Sequence, residues 1–180
     1  MRRRTLAGIA AALALTGCGK LGQVEQGRVV AYNRQTRQVT LIREAGLLPP
    51  VTIEAPTNPD EMGPAPAAGG LMRVDSKNRR IVIYDPATGA LRTIQYTPVA
   101  ERHNVLKSPG PPVVDRARKT ITLYAAKDRA AITFAASDDL LALPPGTWQA
   151  GDVVRYYFKD PGRALRLMNV TKTDLSKASG

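Results

Sequence analysis

The 180-residue chain contains one cysteine, one histidine, one tryptophan and two phenylalanines. With Cys18 alone there is no internal disulfide, no paired-cysteine redox centre and no zinc ribbon, and with His103 alone there is no multi-histidine metal site. Acidic residues are also few, 15 against 26 Lys plus Arg, for a formal charge of +11. No apolar run approaches the ~20 residues that a spanning helix needs. What is present, 43% hydrophobic residues with 14 prolines and 15 glycines, describes a globular, loop-rich chain of one or two small domains.

The N-terminus reads Arg2-Arg3-Arg4, a mostly apolar run over 6–15, then Thr16-Gly17-Cys18-Gly19. Basic residues before a short apolar run and a small-residue cut site are the features of a signal peptide, expected over 1–17. Leu15-Thr16-Gly17-Cys18 resembles the lipobox of bacterial lipoproteins, which implies that the Cys18 thiol takes acyl chains and ties the protein to a membrane. The alternative, an ordinary secretory peptide with an incidental cysteine, has to place the only cysteine at the cut by chance. Gly19 is not the Asp that retains enterobacterial lipoproteins in the inner membrane, so an envelope protein facing the periplasm, on the outer rather than the inner membrane, is expected. Cleavage removes three arginines and leaves 23 basic residues against 15 acidic ones, a balance of +8.

Beyond a polar tether over 18–26, short β-branched and aromatic runs alternate with turn residues, which predicts an all-β chain. Strands are expected at 28–32, 38–43, 51–54, 71–74, 80–84, 91–96, 112–114, 120–125, 130–135, 153–159 and 164–171. The turns between them are too short for crossover helices, so pairing should be antiparallel, in small barrels or a sandwich. Proline-rich stretches at 46–70 and 97–111 read as surface loops. The second divides an N-terminal β half (27–97) from a C-terminal one (112–174) through a linker at 98–111, with a flexible tail at 175–180. One short helix is expected over 137–143, with Ser137 as cap, Asp138 and Asp139 in the first turn and Pro144 as stop. The C-terminal half then has the element order of an OB-fold barrel.

Asn33, Asp75 and Asp115 each stand six positions before an apolar strand and lie 42 and 40 residues apart. Asn and Asp close their own turns by bonding backbone amides just ahead, so a hairpin repeat is expected. A period near forty also suits propeller blades, but the mature chain would be at the minimum size for a propeller.

Few residues suggest catalysis. His103 lies in a loop with Ser108 five positions on, with no third group to complete a triad. Asp60-Glu61 and Asp138-Asp139 are adjacent pairs whose side chains diverge, and capping accounts for the second. No enzyme and no cofactor or metal site is expected; a hydrolase using Asp138, Asp139 or His103 is the rival. In the segment 153–159, Val154, Tyr156 and Phe158 should face the core. The opposite face sets Tyr157 between Arg155 and Lys159, an arrangement that stacks on sugars or bases, or that simply packs against Arg166 and Met168 of the return strand.

Basic residues concentrate at hairpin tips, among them Arg79, Arg80, Arg116, Arg118, Lys119 and Lys159. Gathered at one end they would form a rim for anionic head groups, glycolipids, glycans or an envelope partner protein; dispersed they would simply keep strand edges soluble. Nucleic acid is disfavoured by the export signal.

The segments Glu61-Met62-Gly63-Pro64, Ile83-Tyr84-Asp85-Pro86-Ala87-Thr88, Thr93-Ile94-Gln95-Tyr96, Trp148-Gln149-Ala150-Gly151-Asp152-Val153-Val154 and Leu165 through Asp174 resemble an uncharacterised lipoprotein family of sulfate-reducing bacteria, catalogued as a domain of unknown function. The resemblance spans nearly the whole mature chain, implies a lipoprotein without assigned activity, and transfers no catalytic residue. The expected role is a lipid-anchored, non-enzymatic binding or scaffolding module, with an assembly factor of a larger envelope complex as a further alternative.

Overall fold

The alternating patterns fold into twelve strands in a computed structural model that describes residues 22–43, 49–108 and 110–173. The signal peptide, the lipobox with Cys18 and the 175–180 tail lie outside the described residues. The strands are β1 (Gln23–Asn33), β2 (Gln38–Arg43), β3 (Val51–Glu54), β4 (Leu71–Asp75), β5 (Arg80–Asp85), β6 (Ala90–Gln95), β7 (Pro98–Arg102), β8 (Val113–Asp115), β9 (Thr120–Ala125), β10 (Ala130–Ala135), β11 (Val153–Phe158) and β12 (Arg166–Asn169). One helix, α1 (Asp138–Leu141), and 3-10 turns at Pro59–Glu61 and Pro145–Trp148 complete the described elements.

Every strand pairing is antiparallel, in sheets ordered β12-β11-β1-β2-β3, β7-β10-β9-β8 and β4-β5-β6. Among the described residues the chain is therefore all-β with one short helix, and no closed barrel forms. The five-stranded sheet curls until its edges approach: Glu54 bonds Gly162 and Ala164 through the backbone, and the Gly63 amide donates to the Leu167 carbonyl.

Two apolar clusters hold these sheets. One lies on the inner face of the five-stranded sheet, around Val29, Leu41, Ile53, Val154, Tyr156 and Leu167. The other lies between the three- and four-stranded sheets, where Ile81, Ile83, Ile121, Leu123, Ile132 and Phe134 meet Leu140, Leu141 and the fully buried Trp148. Each large aliphatic or aromatic side chain contributes about 1.5–3 kcal/mol on burial, against at most about 1 kcal/mol for an exposed ion pair. The inner faces therefore decide the fold, and the surface charges are left to do other things.

Three expectations change. Gln23 to Gln26, read as tether, belong to β1, because they pair with Phe158, Tyr157, Tyr156 and Arg155 of β11. Residues 98–102, read as linker, form edge strand β7; Pro98 opens it, and an edge position needs no donor on its open side. The C-terminal half forms no OB-like barrel of its own, because β11 and β12 join β1 while β8, β9 and β10 stay with β7. The buried residues accordingly group as both chain ends against the middle, rather than as first half against second.

The 63–70 segment joins the two clusters. Its backbone bonds Val29 of β1 through Gly69 (3.1 Å) and Gly146 and Tyr84 through Gly70 (2.9 and 2.7 Å), while Asp152 donates to Ala67 (2.9 Å). At the junction the β1 backbone passes so close to Gly151 that a Cβ there would lie 1.9 Å from the Val29 carbonyl oxygen. Only glycine fits that approach.

Candidate functional site

The hairpin repeat appears as hydrogen bonds. Asn33 Oδ1 accepts from the amides of Gln35 and Thr36, Asp75 Oδ1 from Asn78 and Asp115 Oδ1 from Arg118, at 2.9–3.1 Å. Each four-residue turn ends on a basic residue in the left-handed region: Arg37 (φ 55°), Arg79 (50°) and Lys119 (50°), with Arg129 (49°) repeating the device before β10. The carbonyls of these four residues accept the amides of Ala55, Tyr96, Ala136 and Val105, so each turn is tied to the end of another strand. The period near forty is thus a hairpin plus the strand that closes on it, not a propeller blade.

Two of these tips meet. The tip before β5 docks on the tip before β10 as Ser76 donates to Asp128 Oδ2 from its amide (3.0 Å) and its hydroxyl (2.6 Å). Between them lies a polar cavity of about 440 Å³ lined by Arg73, Asp75, Lys77, Asn78, Lys127 and Asp128. Both carboxylates are already occupied. Asp75 takes the Asn78 side chain (2.8 Å) and amide (3.0 Å), with the Arg80 guanidinium 3.8 Å away, and is held below the usual carboxylate range chiefly by the Asn78 bonds. Asp128 is held low chiefly by the two Ser76 bonds. Lys77, Arg79 and Lys127 are exposed and make no side-chain hydrogen bond or ion pair among the described residues. Next to this end, Tyr96 is pushed up to about 12 by burial and by Glu101, to which its hydroxyl lies at 3.4 Å.

The basic residues do not form a single rim. Arg79 and Arg80 lie at the end of the four-stranded sheet marked by Asp128, whereas Arg116, Arg118 and Lys119 lie at the other end of β9, about 17 Å of strand away. At that far end the cations are spent internally. Arg116 donates to the Leu141 carbonyl (3.4 Å), Arg118 lies 3.9 Å from Asp115, and Lys119 pairs with Asp138 at 2.9 Å. Arg155 and Tyr157 lie elsewhere again, on the outer face of β11, and Lys159 follows the end of that strand, which stops at Phe158. There Arg155 bonds Gln26 (3.2 Å), and Arg155 and Tyr157 stand opposite Met168 and Arg166 in the cross-strand register.

The residues of the hydrolase rival are scattered. His103 is exposed, 3.6 Å from Glu101. Asp138 and Asp139 are exposed at α1, paired with Lys119 and Arg92, and Glu61 pairs with Arg166 at 3.4 Å. Glu61 lines a cavity of about 100 Å³ with Asn58 and Arg163, apart from the other three, and His103, Asp138 and Asp139 line neither that cavity nor the ones of about 240, 260 and 440 Å³. Ser137 occupies the cap position of α1 but does not cap: its hydroxyl donates to the Asp139 carboxylate, which with Arg92 holds Asp139 below the ordinary range. The helix is shorter than the expected 137–143: it ends at Leu141 with Ala142 as its C-cap, ahead of Pro144.

Two polar constellations were not visible in the sequence. Asp152, 7% exposed, accepts from the Ala67 amide (2.8 Å), Asn169 Nδ2 (2.9 Å) and Lys172 Nζ (3.1 Å). Burial pushes its carboxyl up, and these three partners together bring it below the usual range. Asn169 and Lys172 also bond the Pro64 and Ala65 carbonyls, which fastens the proline-rich loop to β12. The second lies at the mouth of the five-stranded sheet, where Tyr156 donates to Glu25 Oε2 (2.6 Å) and Arg43 Nη1 lies 3.5 Å from Glu25 Oε1. Burial first, and Glu25 second, raise the Tyr156 hydroxyl. All three side chains line a cavity of about 240 Å³.

Fold and site together define an all-β module with clustered polar surface residues and, among the described residues, no group of His, Cys, Asp or Glu arranged to hold a metal ion. The family Domain of unknown function (DUF4881) matches residues 20–178, and the chain belongs to it. No curated protein and no solved structure matches the chain.

Proposed function

We propose that this protein is a lipid-anchored, non-enzymatic envelope module, held by acyl chains on Cys18 with its β domain in the periplasm, on the outer membrane rather than the inner, and that it binds an anionic envelope component through the joined tips of 75–79 and 126–129. One observation carries the choice of surface. At this end the acidic side chains are consumed by Ser76 and Asn78 while Lys77, Arg79 and Lys127 remain uncommitted; at the far end the acids consume the cations.

The magnitudes suit an anchored protein. Each cation near an anionic surface contributes about 1 kcal/mol, so Arg73, Lys77, Arg79 and Lys127 together supply roughly 4 kcal/mol, a millimolar affinity. That is weak for a free protein. Acyl chains on Cys18 raise the local concentration of surface ligands to the same millimolar range, so weak contacts suffice. The test is co-sedimentation of the chain, lacking its first seventeen residues and carrying Cys18→Ser, with vesicles containing anionic lipid. Binding that falls steeply between about 0.05 M and about 0.5 M salt supports the proposal, and binding indifferent to salt or to lipid charge refutes it.

A second reading, an assembly factor that pairs with partner strands, is favoured by the exposed Val99 and Val113 on β7 and β8, the two edges of the four-stranded sheet. A partner protein that co-purifies from solubilised envelopes and is lost on Val99→Lys would support it.

A further inference from the structure

An exposed apolar cluster sits where the chain enters the five-stranded sheet. Antiparallel pairing brings the start of β1, the end of β11 and the start of β12 to one end of that sheet. There Val24 pairs with Tyr157, and the Leu165 amide donates to the Tyr157 carbonyl at 2.8 Å. Val24 is 61% exposed and Leu165 42%. Cross-strand partners share a face, so Val24 and Tyr157 stand together on the outer side of the sheet, opposite the buried Tyr156 and Phe158. In the turn after β11, Lys159 and Arg163 are exposed, with Asp160 between them. Neither cation makes a side-chain hydrogen bond or ion pair among the described residues.

The anchor restricts what can cover this cluster. Four peptide units separate Cys18 from Gly22, so the α-carbon of an acylated Cys18 stands at most about 14 Å from that of Gly22. Gly22 in turn lies so close to the Tyr157 ring that a Cβ on it would be 2.1 Å from the hydroxyl oxygen. The polar layer on each side of a bilayer is itself roughly 5–8 Å deep, so a leash this short holds the Val24 end of the sheet at the lipid surface. A partner protein would have to enter a gap no wider than the leash. The side chains also suit lipid: aliphatic groups enter the acyl boundary, a tyrosine sits at head-group depth, and Lys and Arg reach the phosphates. Tethering at this range keeps the local concentration of lipid high, so weak contacts suffice.

We infer that this end of the five-stranded sheet is a membrane seat, with Val24 and Leu165 entering the leaflet that holds the acyl chains and Tyr157, Lys159 and Arg163 at its phosphates. The inference rests on the lipid anchor of the proposed function and uses none of the joined-tip residues.

The test takes the full chain, processed in cells and purified from solubilised envelopes, into nanodiscs of zwitterionic phospholipid that carry a nitroxide near the top of one acyl chain. Mass spectrometry of the Cys18 fragment is read first, then methyl and aromatic NMR line widths. The Val24 and Leu165 methyls should broaden at least about fivefold more than those of Val39, which pairs with Tyr32 about 26 Å of strand away. Val24→Ser with Leu165→Ser keeps the leash and removes the apolar contact, and it should cut the broadening of the Tyr157 ring at least about threefold. A second variant, with about eight Gly and Ser residues inserted after Gly19, leaves the domain untouched even if the first misfolds. It should keep most of the native broadening, because the seat rather than the leash makes the contact. Acyl chains on Cys18 with no selective broadening, broadening lost on lengthening the leash, or broadening unchanged in a folded serine variant would each overturn the seat and leave the anchor standing. Val24 and Leu165 signals that ignore the nitroxide but shift with protein concentration would give the face to a second copy of the chain and overturn the seat as well. A Cys18 fragment without acyl chains would overturn anchor and seat together.

Discussion

Ser76 donates to Asp128 twice, from its amide at 3.0 Å and its hydroxyl at 2.6 Å, and so joins two hairpin tips that are 52 residues apart in sequence. The bond sets the charge of the surface as well as its shape. A carboxylate saturated by Ser76 is less available to the lysines around it, and Lys77 and Lys127 face solvent as a result. Ser76→Ala removes the hydroxyl bond and keeps the amide bond. Urea denaturation should show a loss of about 1 kcal/mol, with the fold intact by circular dichroism.

Replacing Asp152 reaches a buried network. In Asp152→Asn the Ala67 amide, the Asn169 amide group and the Lys172 ammonium lose a charged acceptor. A cost of about 2–3 kcal/mol follows for hydrogen bonds to a buried charge. The pH dependence has a definite sign. The folded carboxyl is held below its unfolded value, so its contribution is complete above about pH 4–5 and is lost as pH falls through the folded value. Urea midpoints between about pH 3 and pH 7 should therefore fall more steeply on acidification in the native protein than in Asp152→Asn.

Left-handed turn residues make a prediction of opposite sign. Arg129 sits at φ 49° with no side-chain partner among the described residues, a conformation that costs a non-glycine residue roughly 1–2 kcal/mol. Arg129→Gly removes that strain and restores some unfolded-chain entropy, so the net expectation is a gain of up to about 1 kcal/mol, read as a raised midpoint. Lys119→Gly should gain less, because it also breaks the pair with Asp138.

Cys18→Ser tests the anchor separately from the domain. The precursor should remain uncleaved and incorporate no labelled fatty acid. A variant processed and acylated normally would remove the lipid anchor from the proposal.

Much of the fold was legible because its strands have one buried face. The spans 38–43, 51–54, 120–125 and 130–135 are apolar on the inward side and end on turn residues, and the strands match them residue for residue. Val154, Tyr156 and Phe158 of β11 are buried, as their period of two requires. The start of β1 escaped because Gln23, Glu25 and Gln26 are polar; Glu25 turns inward only because Tyr156, 131 residues away, donates to it. Strand β7 was hidden by Pro98, which marks a loop anywhere except at the start of an edge strand. The site was legible only as a composition. Basic tips could be listed from the sequence, but which of them keep their charge free depends on Ser76 meeting Asp128 and Lys119 meeting Asp138, pairings that no local pattern announces.

The most direct test compares the two ends of the middle sheets on anionic vesicles. One variant carries Lys77→Ala, Arg79→Ala and Lys127→Ala; the other carries Arg116→Ala, Arg118→Ala and Lys119→Ala, with the same loss of three charges. The first is expected to lose most of its vesicle binding, on the order of 100-fold for about 3 kcal/mol, while the second stays within a few-fold of the native chain. Equal losses in both variants would mean that net charge rather than the joined tips governs binding, and would contradict the proposed function.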